Sequence, residues 1–161
     1  MTHSEAKELF TYSNGNLFWT KTGKAAGSLK RNGYKLVKHQ GVFTGAHRII
    51  FFLHHGFFPE MVDHIDGNVS NNSIENLRAA TRSQNGMNSK HYASNTSGYK
   101  NVYKNKHSFT VRLKVDGKLR NFGNYEDIEF AGLVAEEARA KFHGQFAHQS
   151  LRARLKAANI A

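Results

Sequence analysis

Asp63, His64 and Asp66 fall in one short run, Val62-Asp63-His64-Ile65-Asp66-Gly67-Asn68. Asn71-Asn72, Glu75-Asn76-Leu77-Arg78 and Thr81-Arg82-Ser83-Gln84-Asn85 follow it. Carboxylate and amide oxygens at Asp63 and Asn85 suit a single hard divalent cation, Mg²⁺ or Mn²⁺, which leaves positions open for phosphate and water. An imidazole beside that carboxylate, His64, is able to take a proton from an attacking water, since free imidazole titrates near pH 6.5. These are the parts that phosphodiester hydrolysis requires. Asp66-Gly67 and Asn71-Asn72 are also ordinary turn formers, and alone they read as a loop; the full set changes that reading. An EF-hand is excluded, because Gly67 at the sixth loop position puts Val62 first, where a carboxylate is required.

The elements that must position these groups are short. Met61 to Ile65 fits a strand, Asp66-Gly67-Asn68 a turn and Asn76 to Thr81 a returning strand. Thr81 and Gln84 match a capping box and predict a helix with Asn85 in its early turns, which would bring Asp63 and His64 toward Asn85. Upstream, Asn14-Gly15 and Gln40-Gly41 each predict a hairpin turn, and residues 46–55 read as a buried helix stopped by Gly56 and Pro59. His54-His55 at its end reads as a surface pair suited to the helix dipole. His47 is close enough in sequence to approach the site and reads first as a structural hydrogen-bonder.

The segments from Asp63-His64 through Asn85 resemble the HNH endonucleases, in the branch of phage and intron-encoded homing enzymes; Ala46-His47-Arg48-Ile49 resembles the helix that precedes the motif there. The resemblance spans about residues 46–88. It implies a ββα-metal fold, hydrolysis of DNA phosphodiester bonds to 5′-phosphate and 3′-hydroxyl ends, and one divalent cation. Carried over by position, Asp63 is the first metal ligand, His64 the general base, Asn76 the asparagine that fixes the loop and Asn85 the last metal ligand. Asp and Asn stand where other branches use histidine ligands, which argues for Mg²⁺ or Mn²⁺ over zinc.

The chain of 161 residues carries 23 Lys and Arg against 12 Asp and Glu, a formal charge of +11. Residues 1–91 contribute +5 and residues 92–161 contribute +6. A polyanion is the expected partner, and double-stranded DNA is the one chosen, with no membrane and no protein partner implied. The absence of cysteine excludes disulfides, thiolate zinc sites and cysteine nucleophiles. No run approaches the roughly 18 apolar residues of a membrane span, and Met1 to Phe10 lacks a signal peptide's apolar stretch. The expected location is the cytoplasm of a bacterial or phage-infected cell, without secretion.

After a polar, glycine-terminated stretch ending at Gly98 the rhythm changes. Tyr99 to Lys104, Ser108 to Val115 and Leu119 to Tyr125 read as three strands, and residues 126–143 as a helix closed by Gly144. Alternation along Phe109 to Val115 puts Val111, Leu113 and Val115 toward the helix and Thr110, Arg112 and Lys114 outward, making one sheet face basic. Ser97 to Val102, Phe109 to Leu113, Asn121 to Tyr125 and the Ala-rich helix resemble the Apetala-two (ethylene-response-factor) DNA-binding domain, over about residues 97–147. That resemblance implies a sheet lying in the major groove. Asn101 stands where glycine is usual there, Phe109 replaces a tryptophan, and Leu119-Arg120 inverts the expected order. Lys100, Arg112, Lys114 and Asn121 are the expected DNA contacts.

The fold class expected is therefore α+β. A nuclease domain over 1–90 is followed by a linker over 91–98, a βββα domain over 99–147 and a basic tail over 148–161. The expected function is metal-dependent, homing-type DNA cleavage; the rival is a DNA-binding or regulatory protein that does not cut.

Overall fold

In the computed structural model, which describes residues 1–89 and 95–148, the chain divides into two units, Met1–Asn85 and Gly86–Ala161. Residues 91–94 of the expected linker and the tail arginines and lysine (Arg152, Arg154, Lys156) lie outside the described residues. Both units are mixed α/β, with sheets of two or three strands and four α-helices among the described residues.

The first unit opens with α1 (His3–Leu9), which the sequence reading passed over, started by a capping box between Thr2 and Glu5. A hairpin follows, β1 (Phe10–Ser13) with β2 (Asn16–Trp19). Its turn residues Asn14 and Gly15 sit at φ 46° and 74°, the left-handed pair that matches strand twist in a tight hairpin. Next come β3 (Ser28–Leu29), β4 (Lys35–His39) and β5 (Val42–Gly45), an antiparallel sheet with β4 in the centre. Helix α2 (Ala46–His55) follows directly and ends at Gly56 in the left-handed conformation. Ile49, Ile50 and Phe51 from α2 meet Phe10, Leu17 and Val37 from the hairpin and sheet, forming one core with Val62 and Leu77. Each large apolar side chain buried there contributes about 1.5–3 kcal/mol. Val62 belongs to β6 (Met61–His64) and Leu77 to β7 (Leu77–Ala80), an antiparallel pair. The core thus anchors the two strands that carry the candidate site. Helix α3 (Arg82–Asn88) comes next.

In the second unit, β8 (Val102–Lys104), β9 (Phe109–Val115) and β10 (Lys118–Tyr125) form an antiparallel sheet with β9 central. Helix α4 (Ile128–His143) packs Ala131 and Ala135 on Val102 and Val111, and Ala138 on Leu113 and Val115. Asn101 sits at φ 68°, a left-handed position that asparagine tolerates better than other side chains. Residues 95–98, expected to be linker, are tied into this unit. Ser97 is buried and its hydroxyl donates to the Val102 carbonyl at 2.7 Å, while Asn95 Nδ2 donates to the Tyr99 carbonyl at 2.8 Å.

Candidate active site

Asp63 and His64 are both buried, 5% and 4% exposed, as neighbours on β6. Each therefore needs its own polar partner. For Asp63 the partner is Arg78, its direct cross-strand neighbour in the β6–β7 register. Arg78 Nε and Nη2 donate to Asp63 Oδ2 at 2.8 and 2.6 Å. Removing one member of such a pair leaves an uncompensated charge, typically at about 3–5 kcal/mol. For His64 the partner is the buried Asn72, whose Oδ1 lies 2.9 Å from Nε2. With the amide oxygen as acceptor, Nε2 is the donor in that bond.

The loop between the strands is held by asparagines. Asn76 Oδ1 accepts the Asp66 amide at 3.0 Å, and its Nδ2 donates to Asp66 Oδ1 at 2.9 Å and to the Asn71 carbonyl at 2.8 Å. Asn71 Nδ2 adds a bond to Asp66 Oδ2 at 2.8 Å. Burial works against ionisation of Asp66, but the bonds from Asn71, the Asn68 amide and Asn76 outweigh it and lower its pKa. Asn76 and Asn71 thereby fix the loop from which Asn72 reaches His64.

Helix α3 begins as its capping box dictates: Gln84 Oε1 accepts the Thr81 amide at 2.8 Å, and Thr81 Oγ1 accepts the Gln84 amide at 3.2 Å. Asn85 is half-buried at the fourth position of α3, its amide bonded to the Thr81 carbonyl at 2.9 Å.

His47 packs beside the proposed base, a contact that its position in the sequence does not signal. Its ring lies 5.1 Å from that of His64, and Tyr34 stands 5.4 Å from His47 and 6.1 Å from His64. Burial, then the nearby charges of His64 and Arg48, push the His47 pKa down to about 4. Gly45 is what lets the ring in, since a Cβ there would stand 2.4 Å from His47 Cε1. Arg78 and Asn72 were in view as motif letters only; their contacts with Asp63 and His64 depend on the strand register and loop path.

In the second unit the expected DNA-contacting side chains divide. Arg112, Lys114 and Asn121 are exposed, with Arg112 opposite Asn121 in the β9–β10 register and 5.7 Å from the Tyr103 ring centroid. Lys100 is turned inward, which corrects its expected place on that face. Its Nζ donates to the Met87 carbonyl at 2.6 Å and to the Ser89 carbonyl, and burial, with Arg139 adding, pushes its pKa down to about 8. Carbonyls at the end of α3 attract a cation there. Thr110 shares the face of Arg112 but is covered there, being 2% exposed between Asn105 and Asn124, at 2.6 and 2.5 Å. Arg120 falls on the helix side, 5.9 Å from the Phe142 ring centroid.

Comparison with known proteins gives this geometry a family. The HNH endonuclease family matches residues 44–87, the span from β5 through α3. The chain is 32% identical over 129 residues to the Uncharacterized HNH endonuclease L560 of Acanthamoeba polyphaga mimivirus, covering 77% of this chain and 68% of that protein. It is 36% identical over 88 residues to Protein 3.8 of Escherichia phage T7, covering 53% of this chain and 72% of that one. The chain belongs to the HNH endonuclease family. No solved structure matches it. Among the described residues, no helix is long and apolar enough to cross a membrane, and no three His, Cys, Asp or Glu side chains are grouped to hold a metal.

Proposed function

We propose that this chain is a divalent-metal-dependent, homing-type DNA endonuclease, with Asp63, His64, Asn76 and Asn85 as its working residues. The observation that carries the reading is the pair of anchored neighbours on β6: a buried carboxylate held by Arg78 and a buried imidazole held by Asn72. An imidazole held in place by Asn72 is the group assigned to take the proton from the attacking water. Asn76 positions the loop that supplies Asn72. Arg78 orients Asp63, and a carboxylate with about four acceptor sites accommodates both an arginine and a cation.

One carboxylate and one amide oxygen, Asp63 and Asn85, form a donor set suited to Mg²⁺ or Mn²⁺, and these two residues would hold the ion. The chemistry supplied by such an ion is stabilisation of charge on the scissile phosphate and leaving oxygen. In the second unit the exposed Arg112, Lys114 and Asn121 are assigned to duplex DNA, whose major-groove guanine edges and phosphates suit arginine and lysine. The likeness of that unit to the Apetala-two domain supports the placement. The proposed division of labour is that the first unit cuts and the second positions it.

The test is incubation of the full chain with supercoiled plasmid in Mg²⁺ and in chelator. The expected result is nicked or linear product in Mg²⁺ alone. Equal DNA binding in both buffers, with the plasmid intact, would instead assign the chain to the non-cutting, regulatory class.

A further inference from the structure

Phe43 is 57% exposed on β5, and two ammonium groups flank its ring, Lys38 Nζ at 5.5 Å and Lys30 Nζ at 5.7 Å from the centroid. Lys38 is its direct cross-strand partner on β4. A partner for this cluster must offer negative charge and a flat or apolar surface together. Nucleic acid offers both, through phosphates and through sugar and base faces.

The cluster is continuous with the candidate active site. Side chains alternate along a strand, so Phe43 and Gly45 share a face of β5. Lys38 pairs with Phe43 and Leu36 with Gly45, so Lys38 and Leu36 share that face on β4, and Tyr34 extends the row. The His47 ring occupies the space where a Gly45 Cβ would stand, and Tyr34 and His47 lie against His64. One surface therefore runs from the proposed base to the Lys30, Lys38 and Phe43 cluster. Two residues of strand separate Gly45 from Phe43, about 7 Å at roughly 3.3 Å per residue. That distance is within a few nucleotides of one DNA strand, whose phosphates rise about 3.4 Å each along the helix axis.

We propose that this outer face of the β3–β4–β5 sheet is a DNA track belonging to the nuclease unit itself. Lys30 and Lys38 hold phosphates a few nucleotides from the scissile one, and Phe43 lies against a sugar or base between them. The track rests on the endonuclease reading for the path of the strand, but its binding is measured separately from cleavage.

The experiment uses the full chain and a fluorescein-labelled mixed-sequence duplex, with anisotropy followed over a salt series, alongside plasmid nicking in Mg²⁺. The variants are Lys30→Gln with Lys38→Gln, Phe43→Ala, and Lys7→Gln with Lys24→Gln as a control of equal charge outside the cluster. Two lost phosphate contacts should reduce the slope of log K against log[salt] by about 1.8, and the control pair should change it by less than half as much. Phe43→Ala should weaken binding about fivefold or more with the slope and melting temperature unchanged. If the cluster pair behaves as the control pair and Phe43→Ala binds within twofold of wild type, the track is wrong. A wild type that shows these binding effects yet leaves plasmid intact keeps the track and overturns the endonuclease reading. A wild type that nicks plasmid while the variants bind as it does keeps the reading and overturns the track. No affinity for the duplex at low salt overturns both.

Discussion

A half-buried imidazole next to another imidazole has its charged form penalised by burial and by its neighbour, and His47 shows both effects. Its pKa is about 4 in the folded chain against an ordinary 6.5, so between those values the unfolded chain takes up a proton that the folded chain refuses. Stability is therefore fully present above about pH 6.5, falls as pH drops toward 4, and loses on the order of 3 kcal/mol at 1.36 kcal/mol per unit. His47→Phe keeps an aromatic ring in the space and removes the titration. Urea melts from pH 7 to pH 4 should show wild type losing more stability than this variant, and equal losses would count against the buried neutral state. Asp63, His64, Asn76 and Asn85 were legible as candidates because the motif keeps them within a short span. Their neighbours were not. Arg78 meets Asp63 through strand register, and His47 meets His64 through the packing of a helix onto a different sheet.

Elements were most legible where the backbone makes a demand that few residues meet. Asn14-Gly15 and Gln40-Gly41 both adopt positive φ at hairpin turns, and Thr81 with Gln84 starts α3 as a capping box. The same signature at Thr2 and Glu5 starts α1, yet that helix buries only Ala6 and has no apolar periodicity to draw attention to it. Residues 95–98 read as linker from composition, whereas Ser97 and Asn95 satisfy backbone carbonyls that only the folded loop brings near them. Lys100 turned inward for a comparable reason, since carbonyls at the end of α3 are stronger acceptors than an alternating pattern reveals. At the β5–α2 junction the demand is for space. A methyl group at Gly45 would stand 2.4 Å from His47 Cε1, so Gly45→Ala should swing the ring away from His64. The expected cost is about 1–3 kcal/mol of stability from overpacking, with nicking reduced several-fold and the Mg²⁺ requirement unchanged. Melting curves and plasmid kinetics check this, and wild-type values in both would remove His47 as a brace for His64.

At the scale of the whole molecule, the even spread of charge, +5 over residues 1–91 and +6 over residues 92–161, underlies the proposal that both units face DNA. All four proposed site residues precede residue 86, in the first unit. A fragment of residues 1–91 should therefore fold and nick plasmid, but with weaker binding and relaxed site choice, because it lacks about half of the phosphate-contacting charge. A fragment of residues 92–161 should bind duplex DNA at low salt without cutting it. The division of labour fails if the second fragment has no DNA affinity while the first matches the full chain in rate and site preference. The two-part organisation was legible in the change of rhythm after Gly98. The exposure of individual side chains on the second sheet was not, because Thr110 is covered through its bonds to Asn105 and Asn124 rather than by hydrophobicity.

The central claim is that His64 is the base of a DNA-cutting site, and His64→Ala in the full chain tests it most directly. General-base loss typically reduces rate by about 10²–10⁴. Plasmid nicking in saturating Mg²⁺ should fall by that factor while affinity for a fluorescein-labelled duplex stays within about twofold of wild type. Cleavage within threefold of wild type at matched protein concentration would contradict the account and remove His64 from the mechanism.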